Sequence, residues 1–401
     1  MVEALRSRDF RLLWTGRAIS SLGSWLLVIA VPAHVYVLTG SLLATGLTLA
    51  FEYLPPLLSG PVAGVLTDRW DRRRVMIAAD LFRAGAVLLM LAAAADHRWI
   101  YAALVAESAG AVLFRPAAQA HVPSVVGVGT GLSSANSVNA VTDGVVRLVG
   151  PPLGAAILAL TSFPTLVLID AASYLASALA IVLTARRSNG VGPSRPGLAD
   201  GWKVLRDSPT ARALLPLTAV FLAANASLSA LIVPFGIQRL GGTSQVGLVM
   251  SALGVGFLVG AVAIRRLVDR VRPRVLLAAT QLATAVSLYA LFASTALPTA
   301  LVAAVAIGTF GSMTLITPQT ALQRAVPNEA LGRISAVFLA AEALATLVGS
   351  VAGPVMAQAF SLSDAALVAS AVIAVGALAG LLVWDRSRWP EPSVARRGGT
   401  G

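Results

Sequence analysis

Four carboxyl side chains interrupt the long apolar stretches of this sequence: Glu52, Glu107, Asp143 and Glu342. A charge at the centre of a bilayer costs about 2.5–3.5 kcal/mol on insertion scales, so an acidic residue placed there is expected to have a function. A carboxylate removed from water also binds a proton more readily than one in water. The four side chains are therefore candidates for binding and releasing protons within a membrane.

Two of these acids have an arginine on the same predicted helix. Asp143 and Arg147 are four residues apart and share one helix face, so a static ion pair is the alternative to proton binding at Asp143. Arg115 follows Glu107 by two helical turns, which is too far for a contact within one helix. We therefore rank Glu107 and Glu52 above Asp143 as proton carriers.

The elements that carry these acids are predicted to cross a membrane. Of the 401 residues, 57% are hydrophobic and 12% are charged, whereas an ordinary soluble domain has about 25% charged residues. Apolar runs of about 20 residues, the length of a membrane-spanning helix, recur along the whole chain. The sequence thus indicates an all-α integral membrane protein with twelve transmembrane helices. The predicted spans are 12–38, 43–66, 75–95, 100–122, 134–160, 164–184, 212–237, 243–264, 275–295, 298–322, 334–360 and 363–384.

The basic residues indicate how these helices are oriented. Most of the 30 Lys and Arg residues lie at alternate connections between the spans, and the other connections carry Arg98 and Arg239. Because positive charge is enriched on the cytoplasmic side, we expect a multi-pass protein of the cell (inner or cytoplasmic) membrane with both termini cytoplasmic. The basic clusters form no continuous polar face, so the net charge of +12 does not indicate a nucleic-acid partner.

The two halves of the chain repeat each other. The Asp-Arg pair at 68–69 recurs at 269–270 and the Gly-Pro pair at 150–151 recurs at 353–354, in each case about 200 residues later. Such a repeat predicts two six-helix halves related by a pseudo-twofold axis, as in transporters whose halves rock around a central site. One surface helix is expected in the linker, around Leu198–Arg206. The predicted division is an N-terminal six-helix bundle at 1–185, a cytoplasmic linker at 186–211, a C-terminal six-helix bundle at 212–385 and a cytoplasmic, disordered tail at 386–401.

The connection between the second and third helices carries a motif with a mechanical interpretation. A glycine lets two helices approach closely, and an aspartate follows at the helix end. If this aspartate is held by arginine and by a helix N-terminus across the interface, it would latch one conformation. The alternative is an ordinary arginine-rich cytoplasmic loop. The residues assigned to the latch are Gly64, Asp68, Arg69, Arg72, Arg73, Asp80, Arg83, Asp269 and Arg270.

The order Gly-x-x-x-Asp-Arg-x-x-Arg-Arg at 64–73 resembles the signature loop of the major facilitator superfamily. The sequence departs from the signature at Asp71, where a glycine is usual. The second copy has Arg265 at the leading glycine position. We therefore expect the second latch to be the weaker one.

A second motif lies in the fifth predicted helix. Gly150, Pro151 and Gly154 resemble the Gly-Pro motif of antiporters in that superfamily, and an ordinary helix kink is the alternative. Further segments together look like the macrolide-efflux and enterobactin-exporter-like branch. This resemblance implies export of hydrophobic or amphipathic compounds, of drug, macrolide or siderophore type, by proton antiport with alternating access. The segments are 71–83, 114–123, 135–137, 169–174 and 323–327.

The resemblance also implies which helices line a substrate cavity. In the superfamily, helices one, four, seven and ten line it, while three and six lie outside. Asp170 on helix six is therefore expected to be a helix-packing contact. Arg17 on helix one either faces the cavity or extends to the lipid headgroups. The substrate-cavity candidates are Arg17, Trp25, Arg115, Arg147, Phe221, Asn225, Gln319 and Gln323.

The sequence lacks the motifs that are typical of other classes of function. There is no Gly-x-Ser-x-Gly, no His-Glu-x-x-His and no phosphate-binding Gly-rich loop, so no enzyme is expected. An ATP-driven pump is not expected either, unless a separate subunit supplies the ATP site. The chain has no cysteine, and its three histidines are scattered, so no metal or cofactor is predicted. The expected partners are protons, a small-molecule substrate and the lipid bilayer. A proton-coupled importer of a small nutrient is the alternative function, which the antiporter-type motif disfavours.

Overall fold

The computed structural model describes residues 4–94, 96–127, 130–185, 198–268, 270–326 and 328–383. Within them the chain folds into twelve long helices, numbered α1 to α12. Their bounds are α1 (Arg8–Thr39), α2 (Leu42–Arg69), α3 (Arg72–Leu88), α4 (Arg98–Val126), α5 (Thr130–Leu160), α6 (Phe163–Val182), α7 (Pro209–Ser229), α8 (Thr243–Leu267), α9 (Pro273–Ala293), α10 (Leu297–Ala325), α11 (Asn328–Ala359) and α12 (Leu362–Val383).

Most of these helices are long and apolar enough to cross a membrane. Eleven described helices meet this condition, and α2 contributes the shorter apolar stretch Leu42–Leu58. The predicted all-α fold with twelve transmembrane helices is thus confirmed. Two helices continue beyond their main segments: α3 as a 3-10 helix through Leu89–Ala94, and α7 as the short helix Ile232–Phe235 followed by the π-helical turn Gly236–Leu240.

Short polar side chains start several of the helices. The Ser41 hydroxyl accepts a hydrogen bond from the backbone N–H of Ala44 and caps α2. The Asp71 carboxylate accepts one from the N–H of Arg74 at 2.8 Å and caps α3. A carboxylate at this position satisfies a free N–H group and complements the helix dipole. Asp71 therefore has a structural role as the cap of α3.

The two sets of six helices pack in the same way. In the first half, α1 packs on α5 and α6, α3 packs on α4 and α6, and α2 packs on α4. In the second half, α7 packs on α11 and α12, α9 packs on α10 and α12, and α8 packs on α10. Each of these five contacts of the first half thus recurs six helices later. The halves meet through α2 with α11 and α5 with α8, two interfaces that the same pseudo-twofold axis exchanges.

The described hydrogen bonds between the halves lie where α1 ends and α2 begins, which we call the α1–α2 end. There the Gln238 amide donates to the Tyr36 hydroxyl at 2.5 Å, and the Gln358 amide donates to the Ser41 hydroxyl at 3.3 Å. We call the opposite end, where α2 ends and α3 begins, the arginine-rich end. Near it, the side chains of Arg115 on α4 and of Gln319 and Gln323 on α10 are exposed.

The linker contains the helix that the sequence predicts. Residues Leu198–Asp207 form this linker helix, which packs on α11. Leu205 is buried in an apolar cluster with Leu214, Leu322 and Ile334, while Trp202 is exposed. The linker helix is therefore attached to the second half.

Candidate functional site

A cavity of about 260 Å³ lies between the two halves. Its wall is built by α1, α2, α3, α4 and α6 from the first half, and by α7, its continuation and α8 from the second. Most of the described lining residues are apolar, among them Leu49, Val233 and Met250. Its ionisable groups, within the described lining, are the carboxyl groups of Glu52, Glu107 and Asp170 and the phenol of Tyr174. The lining residues that carry these groups or hydroxyls are Ser24, Thr45, Thr48, Glu52, Glu107, Asp170, Tyr174 and Ser229.

Glu107 sits in a hydrogen-bond network that joins four helices. Arg83 on α3 donates to its Oε1 from Nη2 at 2.7 Å and from Nε at 2.9 Å. The hydroxyl of Tyr174 on α6 donates to the same oxygen at 2.7 Å and accepts from Arg83 Nη2 at 2.7 Å. Ser24 on α1 lies 2.7 Å from that hydroxyl. Charge-assisted bonds of this kind are among the stronger hydrogen bonds in proteins.

Asp80 and Arg83 face this network. The two residues are three apart on α3, which places them on one helix face, and Asp80 Oδ1 lies 3.6 Å from Arg83 Nη1. The Arg83 guanidinium also lies over the ring of Tyr174, 4.1 Å from its centroid. Asp80 is fully buried, at 0% exposure. The structure thus joins this pair to Glu107 through the packing of α3 on α4 and α6, while its assignment to the latch stays a prediction.

Glu52 differs from Glu107 in its surroundings. Its side chain is exposed and lines the cavity. Its backbone carbonyl accepts a hydrogen bond from the Ser108 hydroxyl at 2.5 Å, which ties α2 to α4. In the described part of the chain, its carboxyl group makes no ion pair. Glu52 therefore presents to the cavity a carboxyl group that makes no described ion pair.

Asp143 pairs with an arginine of another helix. Arg17 Nη2 on α1 donates to Asp143 Oδ2 at 2.8 Å and to Oδ1 at 3.1 Å, and both side chains are about 40% exposed. Arg147 lies one turn further along α5, with its guanidinium 5.4 Å from the centroid of the Trp25 ring. The structure thus pairs Asp143 with Arg17 rather than with Arg147, because α1 packs on α5 along this face.

The other substrate-cavity candidates lie outside the described lining of the cavity. Phe221 is 3% exposed and packs in the apolar core of the second half. Asn225 is partly buried, and Arg115, Gln319 and Gln323 are exposed toward the arginine-rich end. Glu342 is partly buried on α11 and also lies outside the lining. The structure therefore brings Glu52 and Glu107 to the cavity and distributes the remaining candidates along the helices around it.

The arginines that follow α2 bind the ends of neighbouring helices. Arg72 donates to the carbonyl of Ala120 at 3.0 Å, near the end of α4. Arg73 donates to the carbonyls of Ile181 and Val182 at the end of α6. Cations complement the negative end of a helix dipole there. Three other latch residues lie in the last turns of α2, and their surroundings are outside the description: Gly64, Asp68 and Arg69. Asp269 lies outside the described residues, and Arg270 follows α8.

The Gly-Pro motif lies where α5 meets its neighbours. A Cβ atom added at Gly150 would lie 2.5 Å from Cβ of Trp25, and one at Gly154 would overlap the carbonyl oxygen of Leu26. Glycine is therefore needed at both positions for α1 to approach α5 this closely. The helix remains continuous across Pro151.

Sequence reasoning did not identify the hydroxyl of Tyr174, and it assigned Asp170 to helix packing; both residues lie at the cavity wall. Both residues lie on α6, four positions apart, and so share a helix face. This spacing was the available signal. Asp170 is buried and accepts a hydrogen bond from the Ser173 hydroxyl at 3.2 Å.

Comparisons with known proteins place the chain in a family. Residues 2–394 match the major facilitator family described as transmembrane secretion effector. A Bacillus subtilis protein named uncharacterized MFS-type transporter YfiS is 30% identical over 43% of this chain and 42% of its own length. Macrolide efflux protein A of Streptococcus pyogenes is 25% identical over 63% of this chain and 64% of that protein. The chain thus spans less than two thirds of the length of these two relatives.

Two further comparisons cover nearly the whole chain. The enterobactin exporter EntS of Citrobacter koseri is 25% identical over 96% of this chain and 94% of that protein. The crystal structure of the nucleoside transporter NupG superposes with a TM-score of 0.78 at 10% identity, covering 94% of this chain and 99% of the other; at this identity the likeness concerns the fold. The chain is therefore a multi-pass membrane protein that belongs to the transmembrane secretion effector family of the major facilitator superfamily.

Proposed function

We propose that this protein exports small hydrophobic or amphipathic compounds, of drug, macrolide or siderophore type, by proton antiport with alternating access. The observation that carries the proposal is the cavity between the halves, whose wall is mostly apolar and whose ionisable groups in the described lining are three carboxyl groups and one phenol. An apolar wall suits an amphipathic compound, and carboxyl groups can exchange protons. The names of two relatives, a macrolide efflux protein and an enterobactin exporter, favour export.

Charge balance around Glu107 supports proton exchange. The described ion pairs of Asp80 and Glu107 share one guanidinium, that of Arg83. Asp170 and Glu52 are further carboxyl groups on the same cavity wall. An ionised carboxylate without a cation beside it is costly in a medium of low dielectric constant, so it is more stable there as the neutral acid. A cluster with more carboxyl groups than cations is therefore suited to hold protons.

The packing of the halves supports an inward-facing state. Hydrogen bonds join the halves at the α1–α2 end, and polar side chains are exposed near the arginine-rich end. By the positive-inside rule, the arginine-rich end faces the cytoplasm and both termini lie there. In this orientation, the cavity receives its substrate from the cytoplasm. Rocking of the halves about the interfaces of α2 with α11 and α5 with α8 would then open it to the outside.

The proposal is tested with inverted membrane vesicles in which the cytoplasmic face points outward. A panel of radiolabelled erythromycin, ethidium and enterobactin is added while the lumen is acidic, and uptake is followed with and without a proton ionophore. We expect at least one compound to accumulate, and the ionophore to abolish its accumulation. Accumulation that is unchanged by the ionophore would contradict proton coupling. Accumulation only in right-side-out vesicles would instead indicate an importer.

A further inference from the structure

Arg83 contacts two carboxyl groups through different nitrogen atoms. Its Nη2 lies 2.7 Å from Glu107 Oε1, whereas its Nη1 lies 3.6 Å from Asp80 Oδ1. The first distance is that of a charge-assisted hydrogen bond, and the second exceeds the range of such a bond. A shift of about 1 Å would bring the second contact into that range. In this structure, the guanidinium therefore pairs with Glu107 and not with Asp80.

Asp80 is left without a hydrogen bond in a fully buried position. Neither of its oxygens accepts a hydrogen bond of ordinary geometry in the described part of the chain, and the Ser177 hydroxyl on α6, which lies beside Asp80, makes none either. A buried ionised carboxylate normally accepts several hydrogen bonds. A protonated Asp80 would instead be neutral and could donate to Ser177. These observations favour a proton on Asp80 while Arg83 pairs with Glu107.

We propose that Arg83 neutralises Glu107 and Asp80 alternately, so that one proton resides on whichever of the two carboxyl groups the guanidinium leaves. In one state Glu107 is ionised and Asp80 is protonated. When a proton from the cavity binds Glu107, the guanidinium moves to Asp80, and the proton of Asp80 is released to water. One proton is taken up and one is released, and the summed charge of the three side chains stays zero. Asp80 and Arg83 thereby acquire a role in proton exchange in addition to the predicted latch.

The neighbouring helices supply the groups that face this pair of acids. From α6 come Asp170, Tyr174 and Ser177, and from α2 comes Glu52 at the cavity. The Tyr174 hydroxyl holds both Arg83 and Glu107, so it orients the guanidinium toward Glu107. In the described contacts, the basic group of this set is Arg83 itself. The alternation therefore depends on one guanidinium shared between two carboxyl groups.

Infrared spectroscopy of the full-length protein in lipid tests this sharing at neutral pH without a substrate. The carboxylic acid C=O band that is absent from the spectrum of Asp80→Asn is assigned to Asp80. Glu107→Gln should remove the same band, because Arg83 then pairs with Asp80 and ionises it. Ser177→Ala should shift the band without abolishing it. Asp96→Asn, which removes a partly exposed carboxylate just before α4, should leave it unchanged.

The outcomes separate the inference from the proposed function, on which its role in transport rests. If Asp80→Asn changes no band, Asp80 is ionised and the inference is wrong; if Glu107→Gln leaves the Asp80 band intact, Arg83 is not shared. Should Asp80→Asn fail to fold, the same band is identified from its shift in Ser177→Ala. Transport that ignores the proton gradient would contradict the proposed function but would leave the infrared result standing.

Discussion

The hydroxyl of Tyr174 on α6 donates a hydrogen bond to the carboxylate of Glu107 on α4 at 2.7 Å. The same hydroxyl accepts a bond from Arg83 on α3, so one side chain of α6 holds together the charges of two other helices. Because Tyr174 is fully buried in this structure, water does not compete for these bonds here. The contact makes the orientation of Arg83 depend on a residue that carries no charge.

Removing this hydroxyl should impair both stability and transport. Tyr174→Phe leaves the ring in place but removes a buried hydrogen-bonding group, which typically costs about 1–3 kcal/mol. We expect a lower unfolding temperature in detergent and weaker gradient-driven uptake in inverted vesicles. Tyr101→Phe is the matched control, because the Tyr101 hydroxyl donates to the carbonyl of Ala44, away from the charges. Equal uptake by Tyr174→Phe and the wild type would contradict the prediction.

The Gly-Pro motif offers a test of the contact between α1 and α5. Gly154→Ala places a methyl group against the backbone carbonyl of Leu26, and such overpacking costs about 1–3 kcal/mol. Gly144→Ala on the same helix would meet Leu258 at an ordinary 3.7 Å. Since alanine favours a helix over glycine by about 1 kcal/mol, this control should be neutral or stabilising. Thermal unfolding of both variants measures the difference, and equal unfolding temperatures would contradict the close approach.

The ion pair of Arg17 and Asp143 should contribute modestly to the free energy of unfolding, because both side chains are about 40% exposed. Exposed ion pairs are worth about 0.2–1 kcal/mol. A double-mutant cycle with Arg17→Gln and Asp143→Asn, measured on the free energy of unfolding, should give a coupling energy in that range. Replacing Arg147, which lies over Trp25, should show no coupling to Asp143. A coupling between Asp143 and Arg147 that exceeds the one with Arg17 would be the contrary result.

Glu52 should favour compounds that carry a positive charge. It presents a carboxyl group without a described ion pair to a cavity whose described lining carries no basic side chain. A bound cation would stabilise the ionised form of this acid. We expect Glu52→Gln to weaken binding of ethidium by about tenfold, or 1.4 kcal/mol, and binding of a neutral compound of similar size much less. Asp364→Asn, at the start of α12 and outside the cavity, is the control. Equal losses for charged and neutral compounds would show that Glu52 acts through packing and not through charge.

Part of the site could be predicted from the sequence. An acidic residue in an apolar run stands out because burial of a charge is costly, and this criterion identified Glu52 and Glu107, which both line the cavity. The same criterion does not show which arginine lies beside which acid. Arg17 and Asp143 are brought together by the packing of α1 on α5, while spacing along one helix had suggested Arg147.

The sequence by itself determined the number, type and repetition of the elements. In a bilayer each spanning segment must satisfy its own backbone hydrogen bonds, so apolar runs of sufficient length become helices. The repeated motifs then identify two homologous sets of six. The tertiary structure alone decided which helix faces meet: it joined Asp80 and Arg83 of α3 to Glu107 of α4 and Tyr174 of α6. The physical reason is that periodicity along a helix defines its faces, whereas the packing of separate helices defines the neighbour of each face.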